Sequence, residues 1–288
     1  MLNSDGGIES DLTVVCLDTN HFRIVSAAAV RERDKHHILK HLDPEVEFKD
    51  VTEDFACLGI FGPKSRNLLA EIGGDNFQTK DFPFTTGKNI TIENVKVWAQ
   101  RLSYVGELGW ELYIPIKEAK KIYNLVVKAG GKFNLCHAGV HAMDTLRMEK
   151  GYLHWGHDIS PEENSYEAGL SFTVSFKKNI NFIGKDFLNK IKNKKQKKKI
   201  VILSLKESKP GFPLLLHDEP IYCDKKIVGR TTSGNYSFNF KKNIAFGYID
   251  ALINIENKNF EIEVEKKMYK AIIEPKPLHD AENKAIKE

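Results

Sequence analysis

Strand-like alternation of apolar and polar residues opens the chain twice, over 11–17 and 22–28, around the turn Asp18-Thr19-Asn20. A charged amphipathic helix is predicted over 31–42, ending before Pro44. An apolar strand over 55–61 runs into Gly62-Pro63, where Pro63 suits the first position of a helix over 64–72. A second round follows, with strands over 95–102 and 110–114, a helix over 116–128 stopped by Gly130-Gly131, and a helix over 141–150. Met143, Leu146 and Met148 supply apolar contacts on that last helix. Strand pair, helix, strand pair, helix implies an α+β fold of pseudo-repeated sheet and helix units rather than a doubly wound parallel sheet.

The pattern breaks at 192–199, Lys-Asn-Lys-Lys-Gln-Lys-Lys-Lys, which reads as a solvated linker. A nucleic-acid patch would need aromatic or arginine partners, and this run has none. Beyond it come short strands over 200–205, 219–223, 226–230, 245–249, 260–264 and 270–273, with turns at Asp224-Lys225 and Ser233-Gly234-Asn235. Their even spacing predicts a small β-barrel or sandwich. The expected organisation is a first domain over 1–192, a linker over 193–199, a barrel over 200–277 and a polar, frayed tail over 278–288.

Composition narrows the class. With 288 residues, 41% hydrophobic and 28% charged, the chain has ample core and is neither disordered nor fibrous. A net charge of +4 is too small to imply nucleic acid by itself. No window reaches the length of a membrane span, and Met1-Leu2-Asn3-Ser4 is not a signal peptide. Cys16, Cys57, Cys136 and Cys223 lie far apart, as expected of buried reduced thiols in a cytoplasmic protein.

The richest chemistry lies in Tyr104-Val105-Gly106-Glu107-Leu108-Gly109-Trp110-Glu111-Leu112-Tyr113. Three rings offer faces to a flat heterocycle, two carboxylates can accept its N–H groups, and glycines permit close approach. The same stretch also reads as a hairpin corner with one buried face. Asp11, entering a strand after Gly6-Gly7, faces a pocket at the sheet end or caps the loop as an Asx-turn. Arg147 either pairs with Asp144 or Glu149, or forks onto a ligand carboxylate. His137 and His141, and His154 and His157, have helix-face spacing but lack the further ligand a zinc site needs, so no metal is expected. There is no G-x-S-x-G and no G-x-G-x-x-G.

Together these residues resemble the folate-binding family of glycine-cleavage T-proteins. The likeness is carried by Gly6-Gly7-Ile8 with Asp11, the 104–111 motif, Asp144-Thr145-Leu146-Arg147 and Gly184-Lys185-Asp186. Thr232-Ser233-Gly234 and Ala245-Phe246-Gly247-Tyr248 resemble that family's C-terminal barrel. The stretch Glu149-Lys150-Gly151-Tyr152-Leu153-His154-Trp155-Gly156-His157-Asp158-Ile159 is similar to the folate half of dimethylglycine and sarcosine dehydrogenases, as is 218–236.

The resemblance implies a partial folate domain around a central opening, followed by a barrel. Tyr104 and Glu111 would then hold the pterin of tetrahydrofolate, Glu107 and Trp155 would line its cavity, and Arg147 would meet the folate's glutamate carboxylate. Asp11 would be the catalytic group beside the nitrogens that receive a carbon from a methylamine-derived iminium. The likeness begins partway into the family's folate domain, so the chain is expected to be either a fragment whose first segment and FAD-binding flavoprotein domain are encoded upstream, or a stand-alone remnant. Aminomethyl transfer in glycine cleavage, sulfonium demethylation and folate binding without turnover are the alternative activities. One departure stands out: the family commonly has two adjacent aspartates where this chain has Ser10 and Asp11.

Overall fold

A computed structural model describes residues 1–74, 77–256 and 258–288. The chain forms two compact units that exchange segments. The first holds Met1–Val14, Ile24–Asp34 and Asp144–His279, and the second holds Val15–Arg23, Lys35–Met143 and Asp280–Glu288. Strands β1 (Leu12–Asp18) and β2 (His21–Ser26) pair as a two-stranded sheet, and helix α1 (Arg31–His41) follows.

The second unit is built on β3 (Phe55–Phe61), helix α2 (Ser65–Gly73), β4 (Gly87–Ile92), β5 (Val95–Gln100), β6 (Gly109–Pro115) and helix α3 (Ala119–Gly130). The strands form an antiparallel sheet in the order β3-β6-β5-β4. Period-two alternation places Trp110, Leu112 and Ile114 of β6 on the face that also carries Ile60, Val97, Ala99, Ile90 and Ile92. These pack with Leu68 and Leu69 of α2 and Ile122 and Val126 of α3 in one core. The opposite face of β6 carries Glu111 and Tyr113.

Strand β4 was not predicted. It is paired to β5 through Glu93-Asn94, both at positive φ (45° and 67°), the two-residue turn whose twist suits a hairpin.

In the first unit, helix α4 (Val140–Lys150) enters from the second unit, and α5 (Lys185–Ile191) buries Leu188. Strands β7 (Lys198–Leu205), β8 (Pro220–Cys223), β9 (Lys226–Ser237), β10 (Lys242–Asp250), β11 (Phe260–Val264) and β12 (Lys267–Glu274) close into a barrel, ordered β10-β7-β12-β11-β8-β9. Alternate residues such as Leu203, Ile221, Ile249 and Ile262 fill its interior. The predicted barrel is therefore present, with β9 reaching beyond residue 230 to Ser237.

Two expectations about the ends of the barrel need correcting. The lysine run is not all linker: Lys198 and Lys199 already belong to β7, Lys198 pairs with Glu163, and Lys199 Nζ donates to Ile253 O at 2.8 Å. Nor is the tail frayed. Helix α6 (Lys284–Lys287) belongs to the second unit and buries Ile286, and Asp280 accepts the backbone N–H of Lys284 (2.6 Å) and of Ile286 (3.3 Å).

Candidate functional site

Glu111 and Tyr113 are two apart on β6, so their side chains share a face. The Tyr113 hydroxyl donates to Glu111 Oε2 at 2.7 Å. Burial, then this bond to a carboxylate, pushes the phenol far above the usual tyrosine range, so it stays a donor at any physiological pH. Across the sheet, Tyr113 is flanked by Cys57 of β3 and Trp98 of β5, and Glu111 by Gly59 and Gln100. The Arg23 guanidinium lies 5.2 Å from the Tyr113 ring centroid and 4.8 Å from that of Phe55. Cys57 keeps accessible surface, yet its thiol is raised to about 11 by burial and then by the charge of Glu111. A group both accessible and crowded by protein is what a concave surface gives, and the crowding governs the ionisation.

Tyr104 and Glu107, both half-buried, lie on the bend joining β5 to β6. That bend is tethered by Leu108, whose carbonyl accepts from Gly62 N at 2.8 Å and Ser65 Oγ at 3.1 Å. Tyr104 and Glu107 thus lie on the connection that leads into β6, the strand that carries Glu111, in the second unit. Trp110 departs from expectation. It is fully buried against Phe77 and Phe82 and offers no face to a ligand. Nor does Gly109 serve ligand approach: a Cβ there would stand 2.2 Å from the Phe61 ring and 2.7 Å from Ile60 O.

The first unit holds Asp11, Arg147 and Trp155. Ser10 is buried and donates to Asp34 Oδ2 at 2.9 Å, whereas Asp11 keeps an accessible carboxylate. An aspartate at position 10 would set a second carboxylate against Asp34, so Ser10 fits this interior better. Burial raises the Asp11 carboxyl above its ordinary value, and the Met1 amino group and His154 pull it partly back. The Asx-turn considered for Asp11 belongs to Asn3, whose Oδ1 accepts from Asp5 N at 3.1 Å and Gly7 N at 2.8 Å.

Trp155 is half-buried. Its indole N–H donates to Ile8 O at 2.9 Å, and Arg33 lies 4.6 Å over its ring while pairing with Glu9. It therefore fixes the segment that ends in Asp11, and one of its faces is already covered.

Arg147 is only 1% exposed. Nε donates to Asp144 (2.8 Å), Nη1 to Asp158 (2.5 Å) and to Tyr152 O (3.0 Å), and Nη2 to Ser233 Oγ (2.8 Å). Four of its five donors are thus committed within the unit, leaving no free fork for a ligand carboxylate. The partner expected in the protein-only reading, Asp144, is present, but Asp158 and Ser233 were not anticipated.

Sequence reasoning passed over four contributors. The pairing of Tyr113 to Glu111 was legible in the alternation of β6. Arg23 and Cys57 come from distant strands and carry no local signal. His154 was weighed only as a metal ligand; it is exposed, lies within electrostatic reach of Asp11, and has its pKa lowered by desolvation and then by His157. Among the described residues no group of three or more His, Cys, Asp or Glu converges as a metal site. Of the four thiols, Cys223 alone is buried as expected; Cys16, Cys57 and Cys136 are exposed. No described helix is long and apolar enough to cross a membrane.

Residues 1–178 match the GCVT N-terminal domain, and residues 198–280 match the glycine cleavage T-protein C-terminal barrel domain. The chain belongs to the glycine cleavage T-protein family. Human mitochondrial dimethylglycine dehydrogenase is 32% identical over 285 residues, 96% of this chain and 32% of that protein. This chain therefore spans about a third of that dehydrogenase's length. The aminomethyltransferase of Halothermothrix orenii is 35% identical over 250 residues, 86% of this chain and 68% of that enzyme. Among solved structures, glycine cleavage system aminomethyltransferase T from Bartonella henselae superposes with a TM-score of 0.84 over 98% of this chain and 75% of that one. At 22% identity this likeness establishes the fold. The chain is an aminomethyltransferase-type domain related both to the dehydrogenases and to the glycine-cleavage enzymes.

Proposed function

We propose that the chain is a tetrahydrofolate-dependent one-carbon transfer domain of a dimethylglycine/sarcosine dehydrogenase-like protein, capturing an N-methyl-derived carbon as 5,10-methylenetetrahydrofolate. The observation that carries this reading is the Glu111–Tyr113 pair, a half-buried carboxylate held by a buried phenol on the face of β6 opposite Trp110. With Oε2 held by the phenol, Glu111 has Oε1 to accept an N–H from a pterin, and Tyr104 on the adjoining bend adds a ring. Tetrahydrofolate supplies the two amine nitrogens that bond the incoming carbon in turn, as its original amine leaves. Asp11 stabilises the positive charge that develops on the carbon and accepts the proton shed at N10. Its raised pKa suits that exchange, because a carboxylate nearer neutrality is a stronger base. Arg147 holds the 144–158 region to the barrel rather than gripping the glutamate tail. An upstream FAD-binding domain would supply the iminium.

The test couples the chain, with tetrahydrofolate, to a flavoprotein that oxidises an N-methyl amine. Methylenetetrahydrofolate should form at the expense of free formaldehyde, and Asp11→Asn should abolish the gain. Equal yields with and without the chain would contradict the reading.

A second reading is supported by the Halothermothrix orenii match, since this chain covers more of that enzyme than of the dehydrogenase. Aminomethyl transfer would then release ammonia from a methylamine-loaded lipoyl carrier on addition of the chain. Binding of tetrahydrofolate with neither product would leave a non-catalytic folate module.

A further inference from the structure

Away from Glu111, the second unit gathers buried hydrogen-bond donors without acceptors. Arg101 has no accessible surface, and its Nε and Nη2 have no partner; the indole N–H of the fully buried Trp110 has none either. The guanidinium carbons of Arg101 and Arg66 lie 5.5 and 5.7 Å from the Trp110 ring centroid. Both arginines also reach Thr79 Oγ1, Arg66 from Nη2 at 3.1 Å and Arg101 from Nη1 at 3.3 Å. Apart from the bond of Arg66 to Glu288, their other bonds go to neutral carbonyls, Arg66 to Phe77 O and Arg101 to Phe82 O. Two guanidiniums thus meet over the Trp110 ring where no described acidic side chain from the sheet or α2 answers them.

A main-chain oxygen answers Arg66 alone of the two arginines. Glu288 O accepts from Arg66 Nη2 at 2.6 Å and from the Thr79 hydroxyl. It is carried there by α6, which is anchored by the buried Ile286. Buried donors left without acceptors are costly, and an unfilled ion or ligand position is a common reason for them. Paired guanidiniums with a hydroxyl between them match the planar, two-oxygen geometry of a carboxylate.

We propose that Arg66, Arg101 and Thr79, over Trp110, form a carboxylate-binding pocket that Glu288 occupies in part and that a small free carboxylate fills when the Asp280–Glu288 segment lifts. The pocket is separate from the Glu111–Tyr113 face, which lies on the other side of the same strand, because Trp110 and Glu111 are adjacent residues of β6. The segment following the barrel is therefore a latch, and its hold competes with carboxylates in solution. Burial and the proximity of Arg66 both lower the pKa of Arg101, as two cations sharing one cradle require.

The test uses the full chain and its Ile286→Asp variant, whose new charge unseats α6. Thermal unfolding and tryptophan fluorescence are followed against sodium acetate, with sodium chloride at equal ionic strength as control. Ile286→Asp should melt several degrees lower, and acetate should restore part of the loss saturably, while the intact chain stays indifferent. Adding Arg66→Met should erase the acetate response. Equal responses in the intact and Ile286→Asp chains, no response in either, or a response surviving Arg66→Met would overturn the proposal. Should Ile286→Asp fail to fold, hydrogen exchange decides. Amides of α6 should exchange at least ten times faster in Arg66→Met than in the intact chain, and unchanged protection would overturn the latch. Neither readout involves folate, so failure here is distinct from failure of the proposed activity.

Discussion

Tyr113 Oη stands 2.7 Å from Glu111 Oε2, two residues along one strand, and fixes the carboxylate's orientation on the face of the sheet opposite Trp110. A hydrogen bond to a charged acceptor contributes about 1.5–3 kcal/mol, so Tyr113→Phe should weaken tetrahydrofolate binding roughly tenfold or more. The fold should survive, because the ring itself stays packed. Calorimetric titration beside urea unfolding separates the two effects.

Cys57 is exposed but should behave as a slow thiol. With its pKa raised to about 11, the reactive thiolate is scarce at pH 8, and modification should run roughly 100-fold slower than at a thiol with the ordinary value of 9.0. Burial and the Glu111 charge both disfavour the anion, so Glu111→Gln should accelerate labelling. Rates of iodoacetamide modification, read by mass spectrometry between pH 7 and 10, check both statements. A rate indifferent to Glu111→Gln would show that the carboxylate does not face this thiol.

Asp11 should trade stability for function. Its folded pKa is raised, so the native state binds more protons than the unfolded chain at pH values between the ordinary carboxylate pKa and the folded one. Stability contributed by this group therefore falls as pH rises through that window. Asp11→Asn should raise the melting temperature at neutral pH and give no gain below the unfolded value. Melting curves across pH 3 to 8 would expose the reverse sign directly.

Arg147→Met should be severe, on the order of 3–5 kcal/mol, because it strands the fully buried Asp158 without its cation. Lysine should not rescue it, since one ammonium cannot reach Asp144, Asp158 and Ser233 together. If Arg147→Met unfolds at the same denaturant concentration as the parent, the buried network is not what secures this region.

Gly7→Ala should destabilise by several kcal/mol, because its Cβ would lie 2.0 Å from the carbonyl oxygen of Pro161, and backbone cannot swing aside as a side chain can. Gly131→Ala, at φ −53° with nothing within 4 Å, should be neutral or mildly stabilising. Paired urea curves test the contrast.

Much of this architecture could be read from local pattern, since alternation located β3, β5, β6 and most of the barrel. Strand β4 escaped because its turn, Glu93-Asn94, lacks the glycine that usually marks a two-residue hairpin. The lysine run departs from its linker reading because composition reports solvation, whereas Lys198 and Lys199 are held by β7 pairing with β10. Among site residues, the shared face of Glu111 and Tyr113 follows from period two. The burial of Trp110 follows from the same alternation. Arg147 is different. Its engagement with Asp158 and Ser233 depends on the path of the chain, and one side chain's type cannot distinguish a ligand fork from an internal lock.

Isothermal titration of tetrahydrofolate into the intact chain, Glu111→Gln and Asp11→Asn tests the central claim most directly. The account predicts saturable one-to-one binding to the intact chain, at least tenfold weaker binding to Glu111→Gln, and nearly unchanged affinity in Asp11→Asn. Absence of saturable binding to the folded intact chain, or equal affinity after Glu111→Gln, would contradict it.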